Sequence, residues 1–278
     1  HSALSAEPFR WQQFFLFSLL PRQQFYGEII VTKEILIIAG ETSGDQHGAA
    51  LVSQLKAASK DVTFFGIGGD NLRWEGVQLV EHAENMAFMG FVEVVKHYRF
   101  LKTVYNKVVS ECEKRNPARA ILIDYPGFNL RLAKELKKRQ IPVTYYISPQ
   151  LWAWKEKRVE VVRECVDQML CIFPFEKEWY RQRGVEATYV GHPFLDGEPN
   201  FMDRQNFLDK HSLSTETIVL ALMPGSRQQE VNRHLKTMIK TVELVKRDIK
   251  ISAIVGKAPA VELSKEIGDK IHIETDTP

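Results

Sequence analysis

Asp124 stands at the exit of an apolar run, Arg119-Ala120-Ile121-Leu122-Ile123. A carboxyl at the end of a buried strand is partly desolvated. That raises its pKa and makes it a better proton acceptor near neutral pH. The same aspartate, just before Tyr125-Pro126-Gly127, also suits a plain turn or cap. A second loop, Gly40-Glu41-Thr42-Ser43-Gly44-Asp45, follows the run Ile35-Leu36-Ile37-Ile38-Ala39. Gly40 and Gly44 let a ligand approach the backbone and Ser43 can bond to it; alternatively Ser43 or Asp45 caps the following helix. A third loop is Met223-Pro224-Gly225-Ser226-Arg227. Gly225 and Ser226 at a helix N-terminus, with Arg227 beside them, make a diphosphate clamp; the alternative is that Arg227 pairs with Glu230.

Two further stretches read either way. Ser148-Pro149-Gln150-Leu151-Trp152-Ala153-Trp154-Lys155 suits a sugar platform or simple packing, and Lys155, Lys157 and Arg158 suit a solvated face. Met86-Ala87-Phe88-Met89-Gly90-Phe91-Val92 is core by default, or a patch for acyl chains or a membrane surface. The first loop is not GxGxxG and has no P-loop lysine. There is no HExxH and no GxSxG elbow, and His47, His82, His97 and His192 are isolated. No metal site is expected.

The elements that must position these loops alternate. Strands are expected at 35–39, 62–66, 119–123, 143–147, 168–172 and 187–190, and helices near 45–58, 92–114, 128–139, 155–164 and 175–183. Alternation of this kind implies βαβ units and a parallel sheet covered on both faces. In such sheets ligands bind beyond the carboxyl ends of the strands. The Gly-, Pro- and Asn-dense stretch 191–200 reads as a linker. A second unit opens after it, with strand 217–222, helix 228–247 and strand 251–255. One βαβ unit cannot bury both its faces, so this second domain is expected to be cut short.

The chain has 278 residues, 44% hydrophobic and 26% charged, enough for about two domains. A net charge of +2 gives no reason to expect a nucleic-acid partner. Cys112, Cys165 and Cys171 are too few and too scattered for a disulfide framework, which favours reduced thiols in a cytoplasmic protein. The run Phe14–Leu20 is too short to span a bilayer and no small-x-small cleavage site follows it. Residues 1–31 are expected to lie outside the domain, residues 32–192 to form the first domain, and 193–278 to form the linker and the start of the second.

Seven segments, taken together, resemble one family. They are AGETSGDQHGA (39–49), MGFVEVV (89–95), DYPGFN (124–129), SPQLWAWKEKR (148–158), FPFEKEWY (173–180), VGHPFLD (190–196) and LMPGSRQQEV (222–231). In this order they resemble the lipid-A-disaccharide synthases, over about residues 34 to 257. The resemblance implies a GT-B glycosyltransferase fold, two Rossmann-like domains facing each other over a cleft. It implies condensation of UDP-2,3-diacylglucosamine with 2,3-diacylglucosamine 1-phosphate (lipid X) to a β-1,6-linked disaccharide and UDP, without a metal or other cofactor. It further implies work on the cytoplasmic side of the inner membrane, peripheral to its surface, and admits a homodimer of the complete protein. Asp124 matches the family's proposed base, Arg227 its essential arginine, and Ser43 a serine whose substitution impairs activity. Gly40 and Gly44 then keep the first loop tight, and Met89 and Phe91 become the candidates for acyl contact.

The chain departs from the family in two places. Many relatives carry Asp-Ala-Pro-Asp-Phe-Asn where this chain has Asp124-Tyr125-Pro126-Gly127-Phe128-Asn129. The family also continues through a Gly-Thr-Ala-x-x-Glu segment and C-terminal helices beyond the last residue here, so the chain by itself is expected not to turn over. Three rivals stand beside this reading: a UDP-sugar epimerase on the same fold, an inactive sugar-nucleotide-binding fragment, and an α/β protein whose loops are purely structural.

Overall fold

The computed structural model describes residues 33–86, 98–195, 202–226, 228–258, 261–263 and 272–274. The expectations for residues 1–31, Met89, Phe91 and Arg227 lie outside the described residues. The chain divides into two compact units, with the boundary between Gly197 and Glu198.

The first unit is a parallel sheet of seven strands in the order β3-β2-β1-β4-β5-β6-β7. In chain order the strands are β1 Lys33–Ala39, β2 Val62–Gly68, β3 Gln78–His82, β4 Arg119–Ile123, β5 Val143–Tyr146, β6 Gln168–Cys171 and β7 Ala187–Tyr189. The helices between them are α1 Thr42–Ala58, α2 Asp70–Trp74, α3 Tyr98–Arg115, α4 Pro126–Lys138, α5 Val159–Cys165 and α6 Pro174–Arg181. Short 3-10 turns occur at Ala83–Met86, Glu156–Arg158 and Pro193–Leu195.

The central strands read as nearly unbroken apolar runs because both of their faces are covered. Period-two alternation sends Leu36, Ile38, Phe65, Ile67, Ala120 and Leu122 to one side, against Val104 and Val108 of α3 and Leu132 and Ala133 of α4. Ile35, Ile37, Phe64, Ile121 and Ile123 go to the other, against Val52 and Leu55 of α1 and Leu72 of α2. Two elements here, α2 and β3, are not among the sequence expectations. The edge strand Gln78-Leu79-Val80-Glu81-His82 is only half-buried, so it lacks the apolar run that marks its neighbours.

The second unit contains α7 Arg204–Lys210, β8 Ile218–Leu222, α8 Gln228–Val245, β9 Ile251–Gly256 and β10 His272–Glu274. Its strands are parallel in the order β10-β9-β8. Asp203 caps α7 through Oδ1, which accepts from the N–H groups of Gln205 and Asn206 at 2.9 and 3.1 Å. Val231, Leu235 and Val242 of α8 cover one face, against Leu222, Ala253 and Val255. Ile218 and Leu220 are exposed. Among the described residues no helix is long and apolar enough to cross a membrane.

Candidate active site

The strand order fixes where a site can form. From β1 the chain winds outward through β2 to β3, then returns to β4 on the other side of β1 and winds outward again. The loops leaving β1 and β4 therefore diverge, opening the crevice at which parallel sheets bind ligands. The last paired residues are Ala39 and Ile123, so Gly40-Glu41 and Asp124-Tyr125 leave the sheet side by side. The first and second sequence candidates are thus brought together by an adjacency that chain order alone does not show.

Asp124 and Tyr125 both have left-handed backbones, with φ 42° and 47°. Such a conformation costs a residue with a side chain roughly 1–2 kcal/mol. Pro126, at the start of α4, bars Tyr125 from the right-handed helical region. Neighbours hold the strained pair. The Asp124 carbonyl accepts the Tyr145 hydroxyl at 2.6 Å and Asn129 Nδ2 at 2.7 Å. Asn129 Nδ2 also reaches the Ile123 carbonyl at 3.1 Å, and the Asp124 N–H donates to the Tyr146 carbonyl at 3.1 Å. Strain that the surroundings enforce is a mark of functional positions.

Burial pushes the Asp124 carboxyl up to about 6; the charge of Glu41 adds to the rise, and a hydrogen bond from the Tyr125 N–H partly offsets it. An aspartate poised there accepts a proton at neutral pH yet is still ionised. Sequence reasoning missed Glu41 and Tyr125. Glu41 lies in the first loop, but nothing in the neighbouring residues marks that this loop stands beside the exit of β4.

Gly40 is the tight point of the first loop. A Cβ there would stand 2.5 Å from Cδ1 of the Tyr125 ring. Ser43 and Gly44 belong to the first turn of α1, Ser43 exposed and Gly44 buried against Ala39 and Ile123. A Cβ on Gly44 would make ordinary contacts at 3.5 and 3.6 Å. Asp45 does not cap its own helix. Its carboxylate accepts from the N–H groups of Gly69, Asn71 and Leu72 at the start of α2.

At the exit of β5, Trp152 donates to the buried Glu176 at 3.2 Å and packs edge-on against Phe175. Trp154 is exposed, with the Lys155 ammonium 4.4 Å above its ring. In the second unit Gly225 has φ 130° and the Glu230 side chain lies against it, 2.5 Å from where a Cβ would be. Pro224 offers its carbonyl to the His234 ring at 3.2 Å. Arg227 itself lies outside the described residues, and with it both of its expected pairings, to a diphosphate or to Glu230. Among the described residues no group of three or more His, Cys, Asp or Glu is placed to hold a metal ion. Cys112, Cys165 and Cys171 are free and buried.

The architecture is that of a GT-B type α/β protein. It is similar to UDP-N-acetylglucosamine 2-epimerase from Rickettsia bellii, with a TM-score of 0.56 and 15% identity, covering 88% of this chain and 69% of that one. It is also similar to the UDP-GlcNAc 2-epimerase of Neisseria meningitidis, with a TM-score of 0.54 and 11% identity, covering 88% and 72%. At such identities the likeness is one of fold. Sequence goes further: the family model described as lipid-A-disaccharide synthetase matches residues 35–269, and the chain belongs to that family. The lipid-A-disaccharide synthase of Myxococcus xanthus is 41% identical over 245 residues, 88% of this chain and 64% of the relative. That of Syntrophus aciditrophicus is 43% identical over 218 residues, 78% of this chain and 57% of the relative. The chain thus spans less than two thirds of the length of these relatives.

Proposed function

We propose that the chain is the first domain, and the opening of the second, of a glycosyltransferase of lipid A assembly. It joins UDP-2,3-diacylglucosamine to 2,3-diacylglucosamine 1-phosphate. The observation that carries this reading is the family match across residues 35–269.

In the proposed mechanism Asp124 takes the proton of the acceptor's 6-hydroxyl. The oxygen forms a bond to the donor's anomeric carbon as the bond from that carbon to UDP breaks. The diphosphate leaves with added negative charge, which Arg227, Gly225 and Ser226 are assigned to hold at the start of α8. Because Glu230 lies against Gly225, diphosphate binding there requires that carboxylate to turn aside. Ser43, with Gly40 and Gly44, shapes the acceptor side. Met89 and Phe91 are assigned to acyl contact, and the same reading includes attachment to the inner-membrane surface and a homodimer of the complete protein.

The test is UDP release from UDP-2,3-diacylglucosamine in the presence of lipid X. It is measured on the chain extended to the length of its relatives, with Asp124→Ala and Arg227→Ala for comparison. Loss of turnover in both variants is expected; near-normal turnover in either removes that residue from the mechanism. Met89→Asp and Phe91→Asp are expected to weaken acylated-acceptor binding and vesicle co-sedimentation, and unchanged binding rejects the acyl assignment.

A further inference from the structure

The residue between Asp124 and Pro126 makes more contacts than a turn requires. The Tyr125 ring fills the space over Gly40, and three of its carbons would lie within 2.9 Å of a Cβ there. Its hydroxyl donates to the Met86 carbonyl at 3.0 Å, at the end of the 3-10 turn that follows β3. Its ring lies 6.1 Å, centroid to centroid, from that of Phe128 on α4. One side chain therefore joins the β1 loop, the β4 loop, the turn after β3 and the first turn of α4.

We propose that Tyr125 is the positioning residue of the base: its ring, seated over Gly40 and tethered at Met86, holds the left-handed pair 124–125 and keeps the Asp124 carboxyl against the Gly40-Glu41 loop. This rests on the reading of Asp124 as the base. Asn129 and Tyr145 restrain the Asp124 carbonyl from the α4 and β5 side. The Tyr125 side chain supplies the restraint from the β1 side. Removing the ring opens space beside Gly40, admits water to the carboxyl and frees the strained pair to relax. Tyr125 is not itself a proton carrier at neutral pH, since burial, aided by Glu41, pushes its phenol up to about 12. Among the described residues the titratable groups facing Asp124 are Glu41 from the β1 loop, Tyr125 beside it and Tyr145 from β5.

The experiment compares Tyr125→Phe, Tyr125→Leu and Tyr125→Ala in the completed chain, with Asp124→Asn as reference, by kcat, acceptor KM and the pH dependence of kcat. Tyr125→Phe keeps the ring and is expected within about threefold of wild type, with the same acid limb. Tyr125→Ala is expected to lower kcat about tenfold or more at nearly constant KM, and to move the acid limb down by roughly one pH unit. Tyr125→Leu falls between, and decides the matter if Tyr125→Ala does not fold. Wild-type kcat and acid limb in Tyr125→Leu, or a loss confined to KM or melting temperature, overturns the proposal while an inactive Asp124→Asn upholds the base. An active Asp124→Asn overturns the base, and Tyr125's role with it.

Discussion

The Asp45 carboxylate, in the first turn of α1, accepts the N–H of Gly69 at 2.6 Å across 24 residues of sequence. It also accepts from the N–H groups of Asn71 and Leu72, both at 3.1 Å, and from Asn71 Nδ2 at 2.8 Å. The acid thus caps the short helix α2 from outside, and Gly69 is small enough to let it approach. A carboxylate satisfied by several N–H donors is strongly held, and deleting it strands those donors in a buried place.

Asp45→Ala is therefore expected to destabilise the first unit by about 2–4 kcal/mol. Denaturant unfolding checks this; an unchanged midpoint would show that the α2 donors find other partners.

Asp124 gives a pH-dependent expectation of opposite sign. Burial holds its folded-state pKa, about 6, above the 3.8 of an ordinary aspartyl carboxyl, so between these the folded state holds more protons than the unfolded one. Stability then falls as pH rises through that window, and the full penalty is present above it. Asp124→Asn is expected to raise stability by about 1–3 kcal/mol at pH 7.5 and to change it little at pH 3.5. Thermal melts at the two pH values read the difference, and equal effects at both would contradict the raised pKa. Turnover has the complementary dependence, with an acid limb near pH 6 as the base loses its proton.

Glu41 contributes to that raised value through its charge, after burial. Glu41→Gln is expected to move the acid limb of kcat down by about half a pH unit. A carboxyl-labelled NMR titration of Asp124 gives the same reading without turnover. A limb that stays in place would leave burial as the sole cause.

Gly40 and Tyr125 compete for one volume. Gly40→Ala alone is expected to cost about 1–3 kcal/mol by overpacking. In a Tyr125→Ala background the same methyl meets open space and the cost largely disappears. A double-mutant cycle measures that coupling, and additive effects would show that the ring moves aside freely.

Much of the fold is legible in the residues. The apolar runs of β1, β4 and β6 are buried on both faces, and hydrophobic periodicity reports that burial directly. Pro126 and Pro174 mark helix starts, though the expected boundaries ran a residue or two late because proline is tolerated at the first helical turn. The short elements α2 and β3 escaped notice because α2 is held by Asp45 from another helix and β3 lies at an edge. Neither carries a periodic signal of its own.

The sequence by itself determined a parallel α/β architecture, because strand burial and helix periodicity are written into neighbouring residues. It also determined the family, because seven segments in one order narrow the choice sharply. Only the tertiary structure decided that β1 lies beside β4, and hence that Glu41 and Tyr125 belong to the surroundings of Asp124. That decision depends on packing between residues about eighty positions apart in the chain, where local propensity carries no information.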